Sequence, residues 1–275
     1  MFNYLKRQKK VGLALGGGSA KGFSHIGVIK VLKENNIPID YIAGTSIGAL
    51  IGGTFAALND INKIEEIALK TNWREILPLL DPSIVNGLLS GEKLTRFIES
   101  QIGKINFSEL DIPFTAVATD LETGNAVHIN DGSVSEAIRA SLSLPLVFKP
   151  VKHNKITLSD GGLSEPVPVK ALREMGAEII IAVNLLTHYS SQNRKSFSGL
   201  GFYNIASDSI SILNHHLANH NTKDADIVVL PEVYNFGWKS ILTSKSTEEV
   251  IMSGEKAMSE KIEALKNKLN KKIFW

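Results

Sequence analysis

A serine suited to nucleophilic chemistry stands in the run Gly44-Thr45-Ser46-Ile47-Gly48. Glycines two residues before and two after a serine, between a strand and a helix, form the pattern of a nucleophile elbow. The turn is so sharp that side chains at both glycine positions would crowd the serine. The pattern therefore predicts Ser46 as the nucleophile of an acyl transfer, with Gly44 and Gly48 in supporting positions.

Three consecutive glycines end an earlier apolar run and precede a predicted helix. Such turns commonly hold phosphate, but both nucleotide-binding patterns fail here: Lys21 stands where the dinucleotide fingerprint needs glycine, and Gly22 stands where a P-loop needs Ser or Thr. The remaining chemical use is an oxyanion hole built from backbone N–H groups. We expect Gly16, Gly17 and Gly18 to supply them, and a simple tight turn is the structural alternative.

A nucleophilic serine needs a base, and the α/β-hydrolase order of serine, acid and then histidine directs the search to the late histidines. These are His188, His215, His216 and His220, none of which stands in a turn at a strand end. His25, on the first predicted helix, is expected to be a packed residue. Asp160, followed by two glycines, does stand at such a turn, although an ordinary β-turn explains that pattern equally well. The residues alone leave the base open.

Predicted strands and helices alternate along the chain, which favours an α/β fold. The predicted strands are 11–15, 39–44, 113–119, 126–129, 155–158, 178–184 and 227–230, and the predicted helices are 20–35, 47–58, 133–141, 167–175 and 202–221. An amphipathic tail helix starts at a Ser246/Glu249 capping box and has a break at Gly254. We expect one domain over 1–275, with its core over about 11–231 and a helical tail over 246–272.

Parallel strands at the start of the chain would bring the glycine loop and Ser46 to the same edge of the sheet. That edge is where open α/β sheets build their sites. The sequence therefore predicts that the two motifs face one site.

Composition excludes several classes of function. A formal charge of +2 in 275 residues argues against a nucleic-acid partner, and the absence of cysteine excludes cysteine nucleophiles and thiolate metal sites. No zinc pattern of the H-E-x-x-H type occurs, so we expect no metal and no cofactor. The basic N-terminus lacks the apolar core of a signal peptide, and no apolar run is long enough to span a bilayer, so we expect a cytoplasmic location.

Four blocks, in this order, resemble the patatin-like phospholipases: Gly-Gly-Gly-Ser-Ala-Lys-Gly, Gly-Thr-Ser-Ile-Gly, the run from Ala140 to Val151, and Asp-Gly-Gly. The resemblance extends from about Val11 to Pro231. It implies a three-layer α/β/α sandwich around a mostly parallel sheet. It also implies a catalytic pair of Ser46 and Asp160 without histidine, with the glycine loop as oxyanion hole and with Gly161 and Gly162 supporting the aspartate.

The chain departs from the family's pattern at two positions. Lys21 stands where the family usually has Arg, which removes planar bidentate pairing, and Glu165 stands where Asn is common after Asp-Gly-Gly. An aspartate with an ordinary pKa near 3.9 is a weak base toward a hydroxyl. The environment of Asp160 must therefore raise its pKa.

The resemblance implies a lipid acyl ester as substrate, a phospholipid or a lysophospholipid, and no head group, chain length or oligomeric state follows from the residues. The apolar segment Trp73 to Gly91 is either a lid or a connection packed in the core. A second apolar group either lines an acyl pocket or packs in a buried turn: Leu142, Leu144, Leu146 and Phe148. Both basic ends suit peripheral contact with a membrane. Two alternatives stay open: a catalytically weak regulatory or lipid-binding protein, and an α/β-hydrolase with a Ser-His-Asp triad.

Overall fold

An eight-stranded mixed sheet organises the chain in a computed structural model that describes residues 8–71, 89–187, 201–236 and 243–270. The strands are β1 (Val11–Leu15), β2 (Tyr41–Thr45), β3 (Phe114–Asp120), β4 (Ala126–Ile129), β5 (Val151–His153), β6 (Ile156–Asp160), β7 (Ile179–Val183) and β8 (Ile227–Val229). The helices are α1 (Ser24–Glu34), α2 (Ile47–Leu58), α3 (Ile61–Lys70), α4 (Glu92–Ile102), α5 (Val134–Ser141), α6 (Val169–Glu174), α7 (Phe202–Asn221), α8 (Ser244–Ser259) and α9 (Ile262–Asn270).

The strand order is β5-β6-β3-β2-β1-β7-β8, with β4 paired to β3. The central pairings β3-β2, β2-β1, β1-β7 and β7-β8 are parallel, whereas β4, β5 and β6 pair antiparallel. Alternate residues of β1 face opposite sides: Leu13 packs in a core with α1 and α2, and Ala14 packs in a second core with Leu172 of α6 and Ala218 of α7. Helices thus cover both faces, as the predicted α/β/α sandwich requires.

The ends of β2 and β6 meet beside β3. Because β4 occupies one side of β3 at these positions, β2 and β6 must share the other side. β2 is parallel to β3 and β6 is antiparallel, so they run toward each other. Thr45, the last residue of β2, lies opposite Val117, and Asp160, the last residue of β6, lies opposite Ala118. Strand pairing alone therefore brings the turn after Thr45 next to Asp160.

The central strands and helices agree with the prediction from sequence, and some peripheral elements differ from it. The bounds of β1, β4, α2 and α7 agree with the prediction, while α3, α4 and β5 were not predicted. β5 is only three residues long and joins β6 through Asn154 and Lys155, both with positive φ. The first predicted helix begins as a 3₁₀ turn over Ser19–Phe23 before α1.

The tail helix differs from the prediction in two ways. Its N-cap is Thr243, whose Oγ1 accepts the N–H of Ser246, so the predicted capping box at Ser246 is wrong. The helix also continues through Gly254, where a break was expected. A Cβ on Gly254 would lie 1.9 Å from the carbonyl oxygen of Ser24, and one on Gly27 would lie 2.1 Å from that of Ile251. The two glycines thus permit close packing of α8 on α1.

Gly254→Ala is expected to destabilise the protein even though alanine has the better helix propensity. Forced separation of α8 from α1 costs about 1–3 kcal/mol, against about 1 kcal/mol gained from propensity. Urea denaturation measures the difference. Met252→Ala, at a 63% exposed position of the same helix, is the control and should change stability by less than about 0.5 kcal/mol. A Gly254→Ala protein as stable as the wild type would contradict the role assigned to this glycine.

Candidate active site

Ser46 occupies a strained turn between β2 and α2, with φ 56° and ψ −121°. A positive φ is unfavourable for a residue with a side chain and marks stored backbone strain. A Cβ on Gly44 would lie 2.4 Å from the carbonyl oxygen of Gly48, and one on Gly48 would lie 2.0 Å from that of Leu15. Only glycine fits at either position. The Ser46 N–H donates to Ser141 Oγ at 2.8 Å, which ties the turn to the end of α5.

Asp160 lies at the adjoining strand end and is 3% exposed. Its Oδ1 accepts the N–H of Gly162 at 2.7 Å, and its carbonyl oxygen accepts a hydrogen bond from Thr119 Oγ1 at 2.8 Å. A Cβ on Gly161 would lie 2.2 Å from the carbonyl oxygen of Val117, so this turn also needs glycine. The Asp-Gly-Gly turn is therefore held tightly against β3.

Burial raises the pKa of Asp160 to about 6, while hydrogen bonds from the Ser46 hydroxyl and the Gly162 N–H act to lower it. Oδ2 is buried and accepts no hydrogen bond of ordinary length and angle from the residues that the structure describes. The Ser46 hydroxyl lies near enough to Asp160 to influence the pKa of that carboxyl. The structure brings the predicted nucleophile and carboxylate together.

The three glycines of the loop do not play equal parts. The Gly16 N–H donates to the carbonyl oxygen of Val183 at 3.1 Å, and the Gly17 N–H donates to that of Pro166 at 2.9 Å. Both N–H groups already have backbone acceptors in this structure, and the oxyanion role expected of the three glycines stays a prediction. Within the described ranges, the N–H of Gly18 has no partner. The first two glycines fix the loop, and the third is the one open to a ligand.

A second open N–H belongs to Ile47, the residue after Ser46. It begins α2 and has no hydrogen-bond acceptor in the part of the chain that the structure describes. In a nucleophile elbow, the N–H after the nucleophile usually joins one from a separate loop to bind the oxyanion. Ile47 follows the serine and Gly18 belongs to a separate loop, so both N–H groups are candidates for such a role.

His25 is fully buried, as expected, but it has a specific contact. Its Nε2 lies 2.8 Å from the carbonyl oxygen of Gly16, and burial lowers the pKa of His25 to about 4. The ring is therefore neutral near pH 7, with Nε2 carrying the proton because a carbonyl can only accept. This hydrogen bond orients the Gly16–Gly17 peptide of the loop, so His25 supports the loop and is not a base.

Lys21 follows the loop on the 3₁₀ turn, where burial lowers the pKa of its amine. Its Nζ forms no ion pair with any residue that the structure describes. The backbone N–H of Lys21 donates to the carbonyl oxygen of Gly18 at 3.3 Å. Lys21 thus contacts the loop through its backbone, and no carboxylate that the structure describes pairs with its ammonium group.

The late histidines that the structure describes form no hydrogen bond with Ser46 or Asp160. His215 is bound through Nδ1 to the carbonyl oxygen of Leu186 and through Nε2 to Asn219, and His216 and His220 are exposed. His188 lies outside the described residues. No described histidine contacts Asp160 or the Ser46 hydroxyl, so nothing in this region supports a triad.

Two further residues lie against the Asp-Gly-Gly turn: Asn214, which no sequence pattern indicated, and Glu165, noted above only as a departure from the family's pattern. A Cβ on Gly162 would lie 3.2 Å from Nδ2 of Asn214, on α7. The backbone of Glu165 accepts a hydrogen bond from Thr45 Oγ1 at 2.7 Å through its carbonyl oxygen and donates its N–H to Gly161 at 2.8 Å. Glu165 thus joins the residue before Ser46 to the residue after Asp160.

Among the described residues, no group of three His, Asp or Glu side chains could hold a metal ion. None of the described helices is both long enough and apolar enough to cross a bilayer. The segment proposed as a lid lies outside the described residues from 73 to 88. Of the suggested acyl-pocket residues, Leu142 and Phe148 are buried and Leu144 and Leu146 are partly exposed.

Fold and site together define an α/β protein with a strained serine elbow beside a buried carboxylate. The sequence pattern described as "Patatin-like phospholipase" matches residues 13–173. The chain therefore belongs to the patatin-like phospholipase family.

Relatives place the chain near the NTE group of this family. An NTE family protein of Mycobacterium tuberculosis is 41% identical over 177 residues, which cover 64% of this chain and 49% of the relative. A protein of Emericella nidulans named lysophospholipase nte1 is 34% identical over 193 residues, covering 67% of this chain and 12% of its own length. The matched region thus spans about half of the mycobacterial relative and a small part of the fungal one.

Solved structures agree on the fold. VipD from Legionella pneumophila has a TM-score of 0.61 at 13% identity, with 94% of this chain and 67% of that chain covered. The type III effector protein ExoU has a TM-score of 0.50 at 10% identity, covering 94% of this chain and 53% of its own. These likenesses confirm the α/β/α architecture.

Asp160→Asn is expected to stabilise the protein at neutral pH. Below the ordinary aspartate pKa of 3.8, the carboxyl at position 160 is protonated in both the folded and the unfolded chain. Above about 6 it is ionised in both, and the folded chain then bears the full free-energy penalty of burying the charge. The variant's advantage should grow between these values and then level off, at up to about 3 kcal/mol, given about 1.4 kcal/mol per pKa unit. Denaturation from pH 4 to 8 measures it.

Asp111→Asn, at an exposed position, is the matched control and should give no such trend. A stability difference between wild type and Asp160→Asn that does not depend on pH would show that burial does not raise the pKa of this carboxyl.

Proposed function

We propose that the chain is a serine acyl-ester hydrolase that acts on lipid esters, phospholipid or lysophospholipid, with Ser46 as nucleophile and Asp160 as base. The observation that carries the proposal is the strained elbow of Ser46 beside a buried carboxylate whose pKa burial raises to about 6. Strain fixes the hydroxyl in position, and the raised pKa makes the aspartate a better proton acceptor.

The reaction begins when Ser46 Oγ attacks the ester carbonyl and its proton passes to Asp160. The N–H groups of Gly18 and Ile47 are the open donors available for the oxyanion of the tetrahedral intermediate. As the intermediate collapses, the carbon–oxygen bond to the alcohol breaks and the proton returns to the leaving oxygen. Water then attacks the acyl carbon and gives a proton to Asp160; the bond from that carbon to Ser46 Oγ breaks, the proton passes from Asp160 to Oγ, and the fatty acid leaves.

Support for a lipid substrate comes from the family and from relatives that are named lysophospholipases. Those relatives are much longer than the region matched here. That this chain shares the activity in their names is therefore a proposal. Peripheral contact with lipid at a membrane surface is part of the same proposal.

Ser46→Ala is expected to reduce hydrolysis of a short-chain p-nitrophenyl ester by at least about a thousandfold, because the covalent step is lost. A fluorophosphonate should label the wild type at Ser46, located by mass spectrometry, and should not label the variant. Ser100→Ala, at an exposed position, is the control. Turnover that survives Ser46→Ala with an unchanged circular dichroism spectrum would rule out this nucleophile. A wild type with neither turnover nor labelling would favour the regulatory or lipid-binding alternative.

Asp160→Asn should lose as much activity as Ser46→Ala, since the members of a catalytic pair act as a unit. The base must be ionised, so kcat/KM of the wild type should rise with pH through an apparent pKa of about 6. His215→Ala and His216→Ala should retain most of the activity. If either proves as damaging as Asp160→Asn, a Ser-His-Asp triad is the better mechanism.

A further inference from the structure

A charged cluster lies behind the Asp-Gly-Gly turn, outside the proposed catalytic pair. His128, on β4, has Nε2 at 2.7 Å from Glu165 Oε2 and Nδ1 at 2.7 Å from Glu174 Oε2. The side chains of His128 and Glu165 are 17% and 4% exposed, and that of Glu174 is 53% exposed. We call these three residues the His128 brace.

The geometry of the brace requires a charged imidazole. A neutral histidine has one N–H, so it can donate to only one carboxylate, whereas both ring nitrogens here face carboxylate oxygens at hydrogen-bond distance. The hydrogen bond to Glu165 and, less strongly, that to Glu174 raise the pKa of His128 against the opposing effect of burial. The brace thus contains one cation between two anions.

Glu165 links the His128 brace to the turns of Ser46 and Asp160, because its side chain and its backbone bind different partners. Its Oε1 accepts the N–H groups of Lys170 and Ala171 at 2.9 and 3.3 Å, capping α6, whose N-cap residue Pro168 makes no side-chain cap. Its backbone binds Thr45 and Gly161, next to the proposed nucleophile and base. A displacement of Glu165 would therefore move both turns.

We infer that His128 and Glu165 are positioning residues, which hold the turns of Ser46 and Asp160 through the charge of the His128 brace. The inference rests on the proposed function for its effect on turnover. Loss of the imidazolium leaves a buried carboxylate short of one donor, and Glu165 is then free to shift with the two turns it binds. Small misplacements of catalytic groups reduce rates by large factors.

The charge on the brace depends on pH. The groups that face His128 are the carboxylates of Glu165 and Glu174. Nζ of Lys170, on α6, lies 3.8 Å from Oε1 of Glu174. Because the folded-state pKa of His128 is raised above its ordinary 6.5, its contribution to stability is complete below 6.5 and is lost as pH rises through the raised value. The brace therefore loosens on the alkaline side of neutrality.

The first measurement is amide hydrogen exchange by mass spectrometry on peptides that cover 160–166, at a pH below 6.5. His128→Leu should speed exchange there by about tenfold or more, and Glu165→Gln should do the same. His153→Leu is the matched control, because the ring of His153, on β5, forms a hydrogen bond with its neighbour Asn154 and with no other residue that the structure describes. Equal protection in His128→Leu and the wild type would overturn the inference.

The second measurement is the pH profile of kcat for a p-nitrophenyl ester. The wild type should lose turnover at alkaline pH as His128 deprotonates, and His128→Leu should be about tenfold slower with little change in KM. His128→Lys keeps a positive charge to about pH 10, so its alkaline fall should move upward by more than one pH unit. An alkaline limb that stays in place in His128→Lys would overturn the charge-based role.

The two measurements separate this inference from the proposed function. If Ser46→Ala retains turnover, the proposed function fails, and hydrogen exchange still decides whether the brace holds the turn. If turnover falls in His128→Leu while exchange over 160–166 is unchanged, the proposed function stands and the positioning role is wrong.

Discussion

Two consecutive residues, Glu165 and Pro166, hold the three parts of the site together by backbone hydrogen bonds. Glu165 binds Thr45 and Gly161, and the carbonyl oxygen of Pro166 accepts the N–H of Gly17. The elbow, the aspartate turn and the glycine loop come from separate regions of the sequence. Strand pairing brings the ends of β2 and β6 together, and this segment adds hydrogen bonds to all three parts of the site at once. Its own position is in turn fixed by the cap on α6 and by the pairing of Glu165 with a charged histidine.

The site also contains several features that cost free energy of folding, and the rest of the fold must offset that cost. Ser46 has a backbone conformation that disfavours a side chain, Asp160 is a buried carboxyl, and His25 has a buried Nδ1 without a partner among the described residues. Each of these would relax if its surroundings could yield. They cannot, because the glycines beside them pack directly on backbone atoms of β1 and β3. The tight central sheet therefore does more than position the residues: it maintains the backbone strain of Ser46 and the desolvation of Asp160, on which the proposed reaction depends.

Sequence patterns predicted the features that depend on local sterics and hydrophobic period. The glycines around Ser46, the strands β1 and β4 and the helix α2 follow from short-range rules, and the fold and family are confirmed. What the sequence did not provide is the distribution of hydrogen bonds across distant segments. Whether Gly17 or Gly18 has a free N–H depends on Pro166, almost 150 positions away, and no residue type at the loop encodes that. The predicted break at Gly254 failed for the same reason, since a glycine in a helix is equally suited to a bend and to close contact with another helix.

Burial acts on three titratable groups of the site in different directions, and together they limit the conditions under which the arrangement is intact. Desolvation raises the pKa of Asp160 to about 6 and lowers that of His25 to about 4, while two carboxylates raise the pKa of His128. An ionised aspartate, a neutral His25 and a charged His128 coexist only above about 6 and below the raised value of His128. The upper limit of that window is therefore set by His128, which does not contact Ser46 or belong to the proposed catalytic pair. A carboxylate at position 165 is what allows it, because an uncharged amide there would remove the largest of the interactions that raise the pKa of His128.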